Sequence, residues 1–189
     1  MNTHGAITAF VLMVTFPLAS CQRADTDGGP DGGGEKGKVR APTFKYDKKK
    51  EGGCANVHLY KMTADQVEVL VIRADKEKLK LPAKGTVTFD LAKAPEGLVV
   101  AVDLWDKAPR FRAYCNDIGP DTKKEATWKA KKGKLTLTIF EPADKKGAGP
   151  RTYKVSAKLE GAVFDDGAGH EATLKQETIT EATVGWYAG

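Results

Sequence analysis

Nucleophiles and metal ligands are scarce in this chain. It has three cysteines and three histidines in 189 residues, and its serines sit in no glycine elbow. Ser156 falls in the middle of an alternating run, so a serine-hydrolase triad has no visible nucleophile. Helical periodicity is nearly absent; Asp75 to Leu79 alone has the pattern of a helical turn. No internal repeat is present, which excludes solenoids and propellers. One long apolar run occurs, at the N-terminus, and it is too short for a comfortable membrane span. Arginine is sparse beside lysine, and acids separate the lysine clusters Lys48–Lys50, Lys76–Lys80, Lys123–Lys124 and Lys129–Lys134. The formal charge of +5 therefore describes a solvated coat rather than a nucleic-acid stripe. What is present is ordinary globular material, 41% hydrophobic and 29% charged, enough for one buried core.

Residues Ala6 to Leu18 form a 13-residue apolar stretch, inside the roughly 7–15 residues of a signal h-region. It closes on Leu18-Ala19-Ser20-Cys21. These four residues resemble the lipobox of bacterial lipoproteins, a likeness that covers about the first 21 residues and no more. The residues before the apolar run carry no lysine or arginine, a departure from the usual positive flank. The resemblance implies removal of a signal peptide at 1–20 and a mature chain beginning at Cys21. Its thiol would carry diacylglycerol and its amino group a further acyl chain such as palmitate. Several acyl chains, at about 0.8 kcal/mol per buried methylene, make attachment to the bilayer practically permanent. In that class an aspartate after the lipidated cysteine marks inner-membrane retention. Gln22 stands there instead, which implies the outer membrane in a two-membrane host. The expected location is the extracytoplasmic face of the cell envelope.

Positions 21–40 hold Gly28, Gly29, Gly32, Gly33, Gly34 and Gly37 among scattered charges, a flexible linker. About 18 such residues span some 24 Å on average. The single folded domain is expected at 41–189. Short β runs dominate there. Val57–Lys61 and Val67–Arg73 read as a hairpin, Thr86–Leu91 alternates, and Leu98–Trp105 is continuously apolar like a central strand. Glu125–Lys131 and Leu135–Phe140 flank Lys132-Gly133 and read as a second hairpin; Thr152–Leu159 alternates, and Ala172–Tyr187 holds one or two more strands. The expected fold class is all-β, an antiparallel β-sandwich of immunoglobulin-like or related topology, with a small β-barrel as the alternative. Trp105, Trp128 and Trp186 are expected in or near the core, with Trp105 beside the 106–109 loop also weighed as a sugar platform.

Cys54 and Cys115 are the thiols left after lipidation, and in an exported chain an even pair predicts a disulfide bond joining two sheet edges. Such a bond would rule out a Cys54–His58 nucleophile, because a bonded sulfur does not attack. His58 shares a face with Asn56 and Tyr60 and reads as a half-exposed polar residue. The densest cluster of candidate ligands is Asp165, Asp166, His170 and Glu171 around Gly167 and Gly169, which fits either a turn or a calcium-type metal site. Asp90, Asp103, Asp106 and Asp117 are scattered and define no glycosidase pair. Two main functional readings follow: a non-catalytic binding or structural module for a protein or glycan partner, and a metal (calcium)-dependent or carbohydrate-active enzyme or binding protein using the 165–171 loop. Lysine-based capture of nucleic acid or another anionic polymer is the weakest.

Overall fold

The computed structural model describes residues 39–109, 114–115, 121–140 and 152–185. Cys21, the 1–20 segment, linker positions 21–38 and Trp186 lie outside them, and the compact unit carrying the fold spans Lys38–Gly189.

Eight strands form one antiparallel sheet: β1 Tyr46–Cys54, β2 His58–Thr63, β3 Glu68–Ala74, β4 Gly85–Asp90, β5 Leu98–Trp105, β6 Lys124–Ile139, β7 Tyr153–Asp165 and β8 Glu171–Val184. Their order is β1-β2-β3-β5-β6-β7-β8, with β4 paired to β6. The fold is all-β, and the sheet curls until it is nearly closed into a barrel. Inward residues alternate along the regular stretches of the strands, as the period of two requires, and break step where the register shifts in β1, β6 and β7. Leu59, Leu70, Ile72, Val102, Leu104, Leu135, Leu137, Val155, Leu159 and Ile179 fill the interior. Trp128 sits among them at 1% exposure, whereas Trp105 is buried in a separate cluster on the outer face. Phe44, at the end of the incoming segment, packs its ring 5.5 Å from Phe164 against one end of the core.

Two expectations need correction. Glu125–Lys131 and Leu135–Phe140 are not a hairpin: they run on as the single strand β6, whose first part pairs with β5 and whose second part pairs with β4. Two register shifts against β7, at Ala130/Lys132 and Lys132/Lys134, stand here instead of a reversal, and Gly133 lies in the second. It holds φ +120°, and a Cβ there would stand 2.7 Å from the Ala162 Cα. Gly133→Ala is therefore expected to cost about 3 kcal/mol, read in a denaturant melt, because backbone rather than a side-chain tip must move. Second, Val57–Lys61 is not the first strand; one precedes it and runs up to Cys54. That strand, Tyr46–Cys54, is rich in lysine and glycine and pairs with β2 from Tyr46↔Thr63 to Cys54↔His58. Beyond these, Asp75–Leu79 forms a turn, and a single 3-10 turn occupies Leu91–Lys93.

The seam between β1–β2 and β8 is closed by polar groups. Lys61 faces inward and is only 3% exposed. Its Nζ lies 2.9 Å from Glu177 Oε1 and 3.0 Å from Glu51 Oε2, and donates to the Thr178 carbonyl at 2.6 Å. All three ammonium donors are thus engaged. Thr180 N donates to Glu51, and Gly185 N to the Ala55 carbonyl. Burial pushes the Tyr46 hydroxyl well above its usual value, and the Glu68 carboxylate pushes it the same way.

Candidate functional site

On the outer face of β2, β3 and β5, alternation places Tyr60 and Met62, Val69 and Val71, and Asp103 and Trp105 side by side. Such a face would be an apolar patch if left open. The β5–β6 connection covers it with Tyr114, whose ring stacks 5.9 Å from Tyr60 and meets His58 and Trp105 edge-on. Gly52 on β1 makes room for this layer, since a Cβ there would come 2.5 Å from the Tyr60 hydroxyl.

Cys54 and Cys115 form the predicted disulfide, with Cα atoms 5.6 Å apart. Cys54 ends the edge strand β1, while Cys115 belongs to the connection, so the bond fastens a loop to an edge rather than edge to edge. Beneath it is a buried polar network. Tyr114 Oη donates to Asp103 Oδ2 at 2.6 Å, Thr127 Oγ1 to Asp103 Oδ1 at 2.7 Å, and Lys124 Nζ lies 2.9 Å from Oδ2. Trp105 Nε1 donates to Tyr114 Oη, and Lys124 also sits over the Trp105 ring. Tyr114, Thr127 and Lys124 converge on the one buried carboxylate of Asp103, the geometry in which a charge-assisted network is strongest. Burial drives the Tyr114 phenol well above its ordinary range, reinforced by Asp103, so it stays protonated.

His58 pairs with Cys54 across the β1–β2 turn. Burial, followed by the positive charge of Arg73, lowers its imidazole from 6.5 to about 4, with Asp103 pulling weakly the other way. The unfolded chain binds the proton first, so stability is complete above about pH 6.5 and falls as pH drops toward about 4. The loss is on the order of 2 kcal/mol. Urea melts across that window are expected to show a slope that disappears in His58→Gln; an unchanged slope would place the titration elsewhere.

The 165–171 loop brings its residues together as a turn. Asp165 Oδ1 accepts from Gly167 N, and its Oδ2 lies 2.7 Å from Lys131 Nζ. Asp166 Oδ1 accepts from Ala168 N and His170 N, and its Oδ2 lies 2.7 Å from His170 Nδ1. The hydrogen bond from Lys131 holds Asp165 below the usual carboxylate range, and that with His170 does the same for Asp166. Glu171 starts β8 and is exposed. A cavity of about 350 Å³ opens at the opposite end from Cys54, where the incoming segment meets the β2–β3 turn. Arg40, Thr43, Lys45, Asp65 and Glu68 line it. Glu68 anchors that segment by accepting from Thr43 N and Phe44 N, and Arg40 donates to the carbonyls of Val67 and Trp105.

No protein-family model, curated protein or solved structure matches this chain. Its chemistry must be read from its own residues. The outer-face array joins a neutral imidazole, a protonated phenol and an ion-paired carboxylate, groups arranged to hold one another. Sequence reasoning singled out His58, Cys54 and Cys115 but missed Tyr114 and the centring role of Asp103. The available signal was an acid in the otherwise apolar run Leu98–Trp105.

Proposed function

We propose that this chain is an exported envelope lipoprotein, held to the bilayer through acylated Cys21, whose β-barrel serves as a non-catalytic binding or structural module for a protein or glycan partner. The Cys54–Cys115 disulfide carries this reading. Its two cysteines are those left once Cys21 takes lipid, and bonds of this kind persist in oxidising compartments outside the cytoplasm. The bond fixes a loop over an aromatic layer, stabilising a surface rather than opening a reaction cleft. The cavity beside Arg40 and Lys45 supplies a concave, mixed-charge surface where residues 40–45 meet the β2–β3 turn.

Detergent phase separation and intact-mass analysis test the anchor. The full chain is expected in the detergent phase with an acylated N-terminal Cys21, and Cys21→Ser is expected in the aqueous phase; an unmodified sulfhydryl at position 21 overturns the reading. Saturable retention of the Cys21→Ser protein on cell envelopes, compared before and after protease treatment, separates a protein partner from a glycan. No saturable retention on either removes the binding role. Calcium titration addresses the alternative use of the 165–171 loop. A rise in Tm that vanishes in Asp165→Ala and Asp166→Ala would move the function to that loop.

A further inference from the structure

The bonded sulfurs of Cys54 and Cys115 and a ring nitrogen of His58 lie within 4.8 Å of one another. Two of these three groups owe their placement to the sheet, not to the disulfide. Cys54 and His58 are register partners across the tight β1–β2 turn, so their side chains leave the same outer face as neighbours. The third arrives with Tyr114, which is held separately by Asp103 and by its ring contacts with Tyr60, His58 and Trp105. With the bond open, these contacts still favour the loop position that keeps Cys115 beside Cys54 and His58. His58 Nε2 is shielded from solvent and has no hydrogen-bond partner among the described residues, an unusual state for a buried polar atom.

We propose that reduction of the disulfide converts Cys54, His58 and Cys115 into a thiolate–imidazole site for a thiophilic d10 cation, Zn(II) or Cu(I). The fit is chemical and geometric. Two thiolates and an imidazole are the donors such ions select over calcium or magnesium. With zinc–sulfur bonds of about 2.3 Å and zinc–nitrogen bonds of about 2.0 Å, tetrahedral ligand atoms stand roughly 3.5–3.8 Å apart. Released sulfurs need only separate by a side-chain rotation to reach that spacing, while the imidazole closes by about an ångström. The protein supplies three ligands, leaving zinc one open position; Cu(I) is satisfied by three. The balance is explicit. A dithiol reductant exchanges with the bond, leaving two thiols on the protein and its own sulfurs joined. Metal binding then displaces one proton from each thiol.

The test uses the full chain with Cys21→Ser, so that the thiols are those of Cys54 and Cys115. Protein reduced with a phosphine is titrated with Co(II) as a zinc probe and, separately, with Cu(I) against a chromophoric chelator. One equivalent is expected to bind, with a thiolate-to-cobalt charge-transfer band and release of two protons per metal ion. Cys115→Ser is expected to abolish the band, and His58→Gln to weaken binding at least about tenfold. The oxidised protein should bind none. Lack of uptake by the reduced protein overturns the site, as does equal uptake by the oxidised protein or affinity indifferent to His58→Gln. Circular dichroism guards against loss of fold. If reduction unfolds the chain, metal that restores the β signal supports the site, and metal that fails to restore it overturns it.

Discussion

Breaking the Cys54–Cys115 bond, by reduction without metal or by a Cys54→Ser/Cys115→Ser pair, is expected to lower stability by about 4 kcal/mol. The bond closes a loop across 61 residues of sequence, and the chain-entropy model assigns roughly that value to freeing such a loop in the unfolded ensemble. For a domain of this size the melting midpoint should fall by about 8–16 °C. Scanning calorimetry of oxidised and doubly substituted protein checks the figure. A shift of only one or two degrees would mean that Tyr114 and its contacts hold the connection down unaided. The covering layer should also respond: Tyr60, Met62, Val69, Val71 and Trp105 are buried beneath the fastened segment. An accompanying rise in Trp105 exposure, read by fluorescence quenching, would show that the bond keeps an apolar face closed to water.

Lys61→Ala is expected to have an effect of similar size. It strands Glu51 and Glu177 at a closed seam without their counter-charge, and removing one member of a buried ion cluster costs about 3–5 kcal/mol. Replacing the set together, Lys61→Met with Glu51→Gln and Glu177→Gln, should cost less than the single change, because no unpaired charge then stays inside. Urea titrations of the two variants decide it; equal losses would make the cluster a matter of shape instead of charge. The pH dependence follows separately. Burial works against the Lys61 charge, but its hydrogen bonds to Glu177 and Glu51 outweigh that and raise its pKa above 10.5. Its contribution is complete below about pH 10.5 and declines as pH rises through the higher folded-state value. Alkaline melts should thus separate wild type from Lys61→Met progressively less.

Local alternation made much of the fold legible. The strand expected at Leu98–Trp105 matches β5 at both ends, and the runs around 57–73 became β2 and β3. Strands whose sequences lack the usual enrichment were harder to read. β1 carries Lys48, Lys49, Lys50, Gly52 and Gly53, and its burial comes from β2 and the seam, so its neighbours override its own poor propensity. Lys132-Gly133 looked like a reversal because glycine serves turns and bulges alike; partner strands on both sides decide between them. The disulfide was legible from the count of cysteines. The aromatic cover was not, because Tyr114 finds Tyr60 and Asp103 through tertiary placement that spacing along the chain does not encode. Likewise, the inward-facing Lys61 reads as a surface residue until Glu51 and Glu177, distant in sequence, arrive beside it.

Most ladders here join strands that follow closely along the polypeptide, so assembly can advance by short-range steps with modest entropic cost. The junction of β1–β2 with β8 is different: its partners are separated by more than a hundred positions, as Lys61 and Glu177 are. That meeting has to come late, and it rests on a few charged contacts rather than a full ladder. Deuterium exchange under native conditions should therefore find the Thr180 and Gly185 amides opening at lower free energy than those at the centre of β5, making this join the place where the nearly closed cylinder breathes.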